Sequence, residues 1–519
     1  MRGFCDKHAA KLQWVLSCFD RMLFRGYLPI MSGWAMAQFL MSEHVRCENL
    51  KGFLLNNAER VKQHAQQMAA AAGRPYIYLD SAGTKMELRA REMAEADGIT
   101  EGLVCIFAKL EPCRSFSFKY SKGYPFVKSA SRKCLHFYYY FMDSDFGLIH
   151  VQIQSWFPLR MQVFINGHDW LARKLDAANI KYTQCDNVFI RLEDIERAQT
   201  FSDRMSGLDW PSILSGFAQR VNPLLGSLLG GMQYYWVTAQ CEYSTDVLFK
   251  SPSDLKELYP RLISHSTMCF GAKEVMSFLG RSLSGRFRGE QVNDLTDRFK
   301  YRLPGVRIKH RMQRNWLKMY DKAGSVLRVE MVINDPEAFR VRRQVKREGE
   351  SVTQWVAMRK GVANLFRYRD VSMAANSRYL EALTVVDDPA PALRNLDRIC
   401  ERKRTRRGKS VRAFNPLARE DRQLFEALLG GEHQIRGFSN RDVRGRLTEL
   451  KAIATKGKTA QQLSAVVSRL FNRLHLYGLI AKVPRSRRWR MTKVGLRVFA
   501  SAIRIREQLF PDAYLAGYA

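Results

Sequence analysis

The sequence lacks the features of a secreted or membrane-inserted chain. Its first residues contain no uninterrupted apolar segment followed by a small-residue cleavage site. The longest uncharged stretch, residues 221–241, includes Asn222, Pro223 and several glycines and serines, so it is too polar to span a bilayer. We therefore expect a cytoplasmic protein with no membrane partner.

Paired cysteines and the signatures of common nucleotide-dependent enzymes are also missing. The ten cysteines form no C-x-x-C pair and no Cys/His cluster at zinc-finger spacing. We expect them to be reduced and mostly structural. The sequence has no P-loop, no nucleophile elbow and no dinucleotide-binding fingerprint, which disfavours a nucleotide-driven motor and a serine-type hydrolase.

Acidic residues are too few to balance the basic ones. The 519-residue chain has 84 Lys and Arg against 50 Asp and Glu, a formal net charge of +34 at pH 7. About half of the excess lies in residues 401–519, which contain 27 Lys and Arg against 9 Asp and Glu. A positive charge concentrated in this way predicts a polyanionic partner, namely a nucleic acid.

Length and composition predict an α+β multidomain protein, with about three domains expected for a chain of this size. We expect a mixed α/β body over residues 1–205, a mainly helical segment over 206–300, and a β-hairpin with helices over 301–400. A highly charged run without apolar residues predicts a basic linker over 401–417. A C-terminal domain over 418–519 completes the chain.

The pattern after residue 418 predicts three helices, a two-stranded hairpin and a closing helix. Thr459 and Gln462 form a T-x-x-Q capping box at the start of the third helix. Residues 479–483 and the basic residues 487–492 predict two strands joined by a turn. The closing helix is expected to begin near residue 493.

This segment resembles the winged helix-turn-helix family, and most closely its MarR-like modules. The resemblance is carried by Leu474, residues 477–480 (YGLI), the basic hairpin and residues 491–495 (MTKVG). It implies that the helix over 460–477 is a recognition helix suited to the major groove and that the hairpin is a wing that contacts phosphates or the minor groove. A winged helix used for protein contacts or dimerisation is the alternative.

Three groups of residues are expected to contact nucleic acid. On the recognition helix they are Gln461, Gln462, Ser468, Arg469, Asn472 and Arg473. On the wing they are Arg485, Arg487, Arg488 and Arg490. In the body, basic residues near aromatic ones suit phosphate contact beside base stacking, and these are Lys119, Lys122, Lys128, Lys309 and Arg311. The neighbouring aromatic residues 138–140 are expected in the core.

Two sets of residues are candidates for phosphodiester chemistry. Asp20, Glu111 and Asp143 each follow a predicted strand, where carboxylates could hold two Mg²⁺ ions as in RNase H-like nucleases and transposases. Tyr320 and Glu330 lie in a layout similar to one in rolling-circle replication initiators, in which a Glu helps to hold a divalent ion and a Tyr attacks DNA. The alternatives are a turn at Asp143, a Tyr320 packed at a strand end and a Glu330 paired with Lys or Arg.

The whole chain also resembles a widespread group of uncharacterised bacterial proteins through residues 17–26, 166–172 and 318–322, a resemblance that transfers no site. The leading prediction is a nucleic-acid-binding protein that binds DNA through its C-terminal module and is associated with a mobile element. This function needs no cofactor. The alternatives are a metal-dependent nuclease, nickase or transposase-like enzyme, which would use Mg²⁺, and a protein partner of a structured RNA.

Overall fold

In the computed structural model the chain is a mixed α/β protein. The structure describes residues 1–80, 85–121, 124–281, 291–296, 306–347, 350–386, 389–405, 408–429, 433, 437–450, 453 and 458–516. The strands are β1 (Leu12–Tyr27), β2 (Tyr76–Leu79), β3 (Gly102–Ser121), β4 (Tyr124–Asp143), β5 (Gly147–Gln154), β6 (Met161–Asn166), β7 (Tyr182–Gln184), β8 (Phe189–Leu192), β9 (Tyr235–Phe249), β10 (Gln291–Thr296), β11 (Arg307–Met312), β12 (Asn315–Lys322), β13 (Val326–Ile333), β14 (Arg340–Arg347), β15 (Glu350–Ala357), β16 (Lys403–Arg404), β17 (Ser410–Val411), β18 (Ile480–Lys482) and β19 (Trp489–Met491). The α-helices are α1 (Arg2–His8), α2 (Gly33–Ser42), α3 (Leu50–Ala71), α4 (Met86–Ala96), α5 (Gly167–Ala177), α6 (Ile195–Arg204), α7 (Trp210–Val221), α8 (Pro252–Cys269), α9 (Ala272–Phe278), α10 (Leu365–Leu383), α11 (Pro389–Cys400), α12 (Arg419–Leu428), α13 (Asn440–Glu449), α14 (Ala460–Leu476), α15 (Lys493–Arg504) and α16 (Phe510–Ala516).

The chain divides into two units, each built from segments that are distant in sequence. The sheet unit comprises residues 11–251 and 314–376. The helix-rich unit comprises residues 1–10, 252–313 and 377–519. Neither unit corresponds to one of the contiguous segments expected from the sequence, because strands that are far apart along the chain pair within the sheet unit.

The sheet unit contains a large sheet with strand order β12-β13-β9-β1-β6-β5-β4-β3-β2. Neighbouring strands are antiparallel, except for the parallel pair β2 and β3. In the register, Cys18 on β1 pairs with Ser244 on β9, and Ser244 pairs with Glu330 on β13. Paired residues point to the same face of a sheet, so side chains from three central strands meet on one face.

Strand β9 lies inside the segment 206–300, which the sequence analysis expects to be mainly helical. Helices α7, α8 and α9 are present there, but β9 is a 15-residue central strand. From Cys241 to Phe249 every residue of β9 is buried. Buried polar residues at positions 242, 244 and 246 give this strand a two-residue period, which the expectation of a mainly helical segment did not take into account.

Strands β3 and β4, in the segment expected to be a mixed α/β body, pair with each other along almost their whole length. Tyr138, Tyr139 and Tyr140 are buried, as predicted for core residues.

Within the described residues, no helix is both long enough and apolar enough to cross a bilayer. The uncharged stretch over 221–241 forms the end of α7, a series of turns and the start of β9. Its polar groups are used locally, since the Asn222 side chain donates to the Tyr234 hydroxyl at 3.0 Å and accepts from the Leu224 amide at 3.1 Å.

The C-terminal part of the helix-rich unit has its own apolar core, formed by α12 to α15 and the hairpin β18–β19. The segment expected to be a basic linker contributes Val411 and Phe414 to this core. Strands β16 and β17 pair there. Phe414 is buried against Phe425 and Tyr477, with ring centroids 5.6 and 5.1 Å away.

His310 is a buried histidine in the helix-rich unit. Its Nδ1 lies 2.7 Å from the Asn293 Oδ1 and its Nε2 lies 2.9 Å from the Tyr379 hydroxyl, an arrangement that suits a neutral ring. Burial lowers the pKa of His310 to about 3. The unfolded chain has the ordinary pKa of about 6.5, so it takes up a proton first as the pH falls.

We expect this histidine to make the helix-rich unit sensitive to acid. The contribution of neutral His310 to the free energy of unfolding is fully present above pH ~6.5. It decreases as the pH falls below this value, by about 2 kcal/mol at pH 5. Chemical denaturation at pH 7, 6 and 5 should show that His310→Gln loses less stability with falling pH than the wild type. The same change with pH in His310→Gln and the wild type would contradict this assignment, and exposed His44→Asn serves as the control.

Candidate nucleic-acid interface and buried carboxylate cluster

The described residues between 419 and 504 include three helices, a hairpin and a further helix, in the order α12, α13, α14, β18, β19 and α15. Phe438, just before α13, adds a third extended segment, because its backbone exchanges two 2.8 Å hydrogen bonds with Trp489 on β19. Gly437 permits this approach. It has a φ of +65°, and a Cβ at this position would clash with the Trp489 carbonyl oxygen.

Helix α14 begins at the predicted capping box. The Thr459 hydroxyl accepts from the Gln462 amide at 3.3 Å, and the Gln462 Oε1 accepts from the Thr459 amide at 2.9 Å. Val467, Phe471 and Leu474 bury the apolar face of the helix. The opposite face is exposed, and its polar members, which we name the polar strip, are Gln461, Gln462, Ser468, Arg469 and Asn472.

Arg473 was also expected to contact nucleic acid from this helix, but the structure separates it from the polar strip. Its guanidinium forms an ion pair with Asp421 at 3.1 Å and donates to the Arg412 and Ala413 carbonyls. It also lies over the Phe414 ring, 3.7 Å from the centroid. Arg473 therefore joins α14 to the segment before α12.

Three of the four arginines predicted on the hairpin are exposed: Arg485, Arg487 and Arg490. We name these three the wing arginines. The fourth, Arg488, is partly buried and donates to the Gly437 carbonyl at 3.0 Å and to Asp442 at 3.3 Å. Trp489 and Met491, on the other face of β19, pack against the core. The hairpin thus presents charge on one face and core residues on the other.

The basic residues predicted in the body belong to different units. Lys119 and Lys128 are exposed on β3 and β4 of the sheet unit. Lys309 and Arg311 lie on β11 of the helix-rich unit, where Arg311 is exposed and Lys309 is partly buried. Lys122 lies outside the described residues.

The predicted catalytic residues fall into one cluster and two separate positions. Asp20 on β1 and Glu330 on β13 meet Glu242 on β9, and one carboxylate oxygen from each lies within 4.8 Å of the others. Glu111 instead accepts a 2.8 Å hydrogen bond from Tyr138 and pairs with Lys109 at 3.0 Å.

Asp143 forms the hairpin turn that was its alternative interpretation. Its Oδ1 accepts from the backbone amides of Asp145 and Phe146 at 3.0 and 3.1 Å. The structure thus places neither Glu111 nor Asp143 in the cluster that contains Asp20. Asp20 belongs with Glu330, which the sequence analysis assigned to a different motif.

Lys318 and Tyr320 on β12 complete the carboxylate cluster. The Lys318 ammonium lies 3.1 Å from the Glu330 Oε2 and 3.5 Å from the Glu242 Oε2. The Tyr320 hydroxyl donates to the Glu330 Oε2 at 3.0 Å. Burial, reinforced by the charge of Glu330, raises the pKa of Tyr320 well above its usual range. Tyr320 is thus a protonated hydrogen-bond donor in this arrangement.

The two glutamates of the cluster have opposite pKa shifts. Burial raises the pKa of Glu242 to about 8, and the neighbouring Glu330 carboxylate adds to this shift. Burial also opposes ionisation of Glu330, but the positive charge of Lys318 lowers its pKa below the usual value.

Asp20 is held by a network of buried polar groups. Its Oδ2 accepts from the Arg328 Nη1 at 3.1 Å and its Oδ1 accepts from the Asn187 side chain at 2.5 Å. Arg328 also forms a bidentate pair with Asp246 at 2.6 and 2.7 Å. Burial opposes the charge on Asp20, but the His168 ring, with its Nδ1 3.6 Å from the Asp20 Oδ1, and the Arg328 guanidinium lower its pKa.

Sequence reasoning missed Glu242, Asp246, Arg328 and His168. For the first three of these, a signal exists in strands β9 and β13, where charged or polar residues recur at every second position among buried neighbours. They are Glu242, Ser244 and Asp246 on β9 and Arg328 and Glu330 on β13. Alternation of this kind places polar side chains on one sheet face.

No protein-family model, curated protein or solved structure matches this chain. Function must therefore be inferred from the geometry of the two candidate sites. The C-terminal segment has exposed polar and basic groups, whereas the carboxylate cluster is buried.

Proposed function

We propose that this protein binds DNA through residues 419–504, which we interpret as a winged helix-turn-helix module. The observation that carries the proposal is the polar strip of α14, directly followed in the chain by a hairpin with three exposed wing arginines. The major groove of B-DNA admits an α-helix, and Asn, Gln and Arg side chains distinguish base edges by bidentate hydrogen bonds.

The contacts within the segment support separate roles for its side chains. Arg469 and Asn472 have exposed polar groups on α14 and suit base recognition. The wing arginines suit phosphate contact, which adds affinity without sequence preference. Arg473 is assigned a supporting role, since its donors already bind Asp421 and two backbone carbonyls.

The proposal is tested by selecting bound sequences from a random duplex library with the full-length protein. Arg469→Ala is expected to relax the preference at one or two base pairs, each worth about 1–3 kcal/mol. Arg490→Ala should instead weaken binding to all sequences alike. Lys256→Ala, which removes an exposed positive charge from α8, is the matched control.

The same assay separates DNA from structured RNA as the partner. Duplex DNA should displace a labelled duplex more effectively than single-stranded DNA or a folded RNA of equal length. Stronger competition by the RNA would contradict the assignment to DNA. If Arg469→Ala kept the wild-type preference at every position, the interpretation of α14 as a recognition helix would be wrong.

A further inference from the structure

We propose that Asp20, Glu242 and Glu330 form a binding site for a hard divalent cation of the Mg²⁺ or Mn²⁺ type. The three carboxylates come from three neighbouring strands of one sheet, β1, β9 and β13. Their positions are therefore fixed by the strand register and not by a loop. Carboxylate oxygens are the ligands that Mg²⁺, Mn²⁺ and Ca²⁺ prefer.

The spacing of the oxygens suits a cation. One oxygen from each residue lies within 4.8 Å of the other two. When the bonds are ~2.1 Å, as for Mg²⁺, adjacent ligands of an octahedral ion are about 3.0 Å apart and opposite ligands about 4.2 Å apart, and three ligands include at most one opposite pair. The three oxygens can therefore reach one ion through small side-chain movements, without a shift of the strands.

An independent observation that points to a ligand is a buried carboxylate oxygen of Glu330 that accepts no hydrogen bond within the described part of the chain. The Glu330 side chain is 1 % exposed, and its Oε1 has no hydrogen-bond partner among the described residues. Its other oxygen, Oε2, already accepts from Lys318 and Tyr320. Burying an unpaired carboxylate oxygen is costly. A cation bound between the carboxylates would supply the missing partner.

The basic side chains that bind the cluster, Arg328 and Lys318, are each shared between two carboxylates. Arg328 is shared between Asp20 and Asp246, which leaves Lys318 as the cation in contact with Glu242 and Glu330. Buried carboxylates require charged or hydrogen-bonding partners. The Lys318 ammonium therefore competes with a metal ion but does not replace it.

Solvent reaches the cluster from one side. The side chains of Glu242 and Lys318 are 9 % and 11 % exposed, whereas those of Asp20 and Glu330 are 3 % and 1 % exposed. A cation would thus enter beside Glu242 and keep its solvent-side positions for water or for an oxygen of an anionic ligand. This proposal concerns the sheet unit and is independent of DNA binding by residues 419–504.

Mn²⁺ is the probe for this site, followed by electron paramagnetic resonance and isothermal titration with the full-length protein. We expect one tightly bound Mn²⁺ per chain, displaced by excess Mg²⁺. Glu330→Gln should weaken binding at least 10-fold. Glu111→Gln, in the same unit but paired with Lys109 and Tyr138, should leave it unchanged.

Two further variants keep the test decisive if Glu330→Gln fails to fold. Glu242→Gln removes the most accessible ligand and should also weaken Mn²⁺ binding. Lys318→Gln removes the competing ammonium and should tighten it. Absence of bound Mn²⁺ at millimolar concentration, or equal binding by the wild type and Glu242→Gln, would overturn the proposal.

Discussion

Replacing Arg328 by Met is expected to destabilise the sheet unit by about 3–5 kcal/mol, because it leaves buried carboxylates without their counter-ion. The guanidinium is fully buried between three strands and the segment before β8. Its Nε and Nη2 bind the two oxygens of Asp246, and its Nη1 binds Asp20. Nη2 also donates to the Asn187 carbonyl at 2.6 Å.

Chemical denaturation of the wild type and Arg328→Met measures this effect directly. Arg191→Met, at an exposed position on β8, should change the free energy of unfolding by less than about 0.5 kcal/mol. Adding Asp246→Asn to Arg328→Met should recover part of the loss, since one unpaired charge is removed. If Arg328→Met lowered the free energy of unfolding by less than about 1 kcal/mol, the buried network around Arg328 would contribute little to stability.

Replacing the three wing arginines by Ala is expected to lower DNA affinity at ~0.1 M salt by about 100-fold or more. Each phosphate contact that is lost removes about one unit from the slope of log K against log salt concentration, so the slope should become shallower by about three. The side chains are exposed, so their removal should not unfold the protein.

Fluorescence anisotropy over a series of salt concentrations measures both quantities. The control replaces three exposed basic residues elsewhere, Lys51, Arg191 and Lys256, and removes the same net charge. If the control variant lost as much affinity as the wing variant, the effect would come from overall charge and not from the hairpin.

The sequence predicted the C-terminal segment well because its signals are local. The capping box at Thr459 and Gln462 uses residues three positions apart, and the structure contains both of its hydrogen bonds. Arg473 shows the limit of such reasoning. Its position on α14 suggests exposure, but Asp421 and Phe414, 52 and 59 positions earlier, hold it in the interior.

The carboxylate cluster could not be assembled from the sequence for the same reason. Asp20 and Glu330 are 310 positions apart, and two antiparallel pairings, β1 with β9 and β9 with β13, bring them together. Pairings at this distance depend on the whole topology of the sheet and leave no short motif. Glu242 was missed because it lies on β9, in a segment that was expected to be mainly helical.

The most direct test of DNA binding by this protein is a salt titration of full-length chain with duplex DNA. Anisotropy should show binding at ~50 mM salt that weakens steeply as salt increases, with a log–log slope of about −5 to −9 for six to ten phosphate contacts. Tight binding independent of salt, or no binding even at the lowest salt concentration, would contradict the proposed role of the basic C-terminal segment.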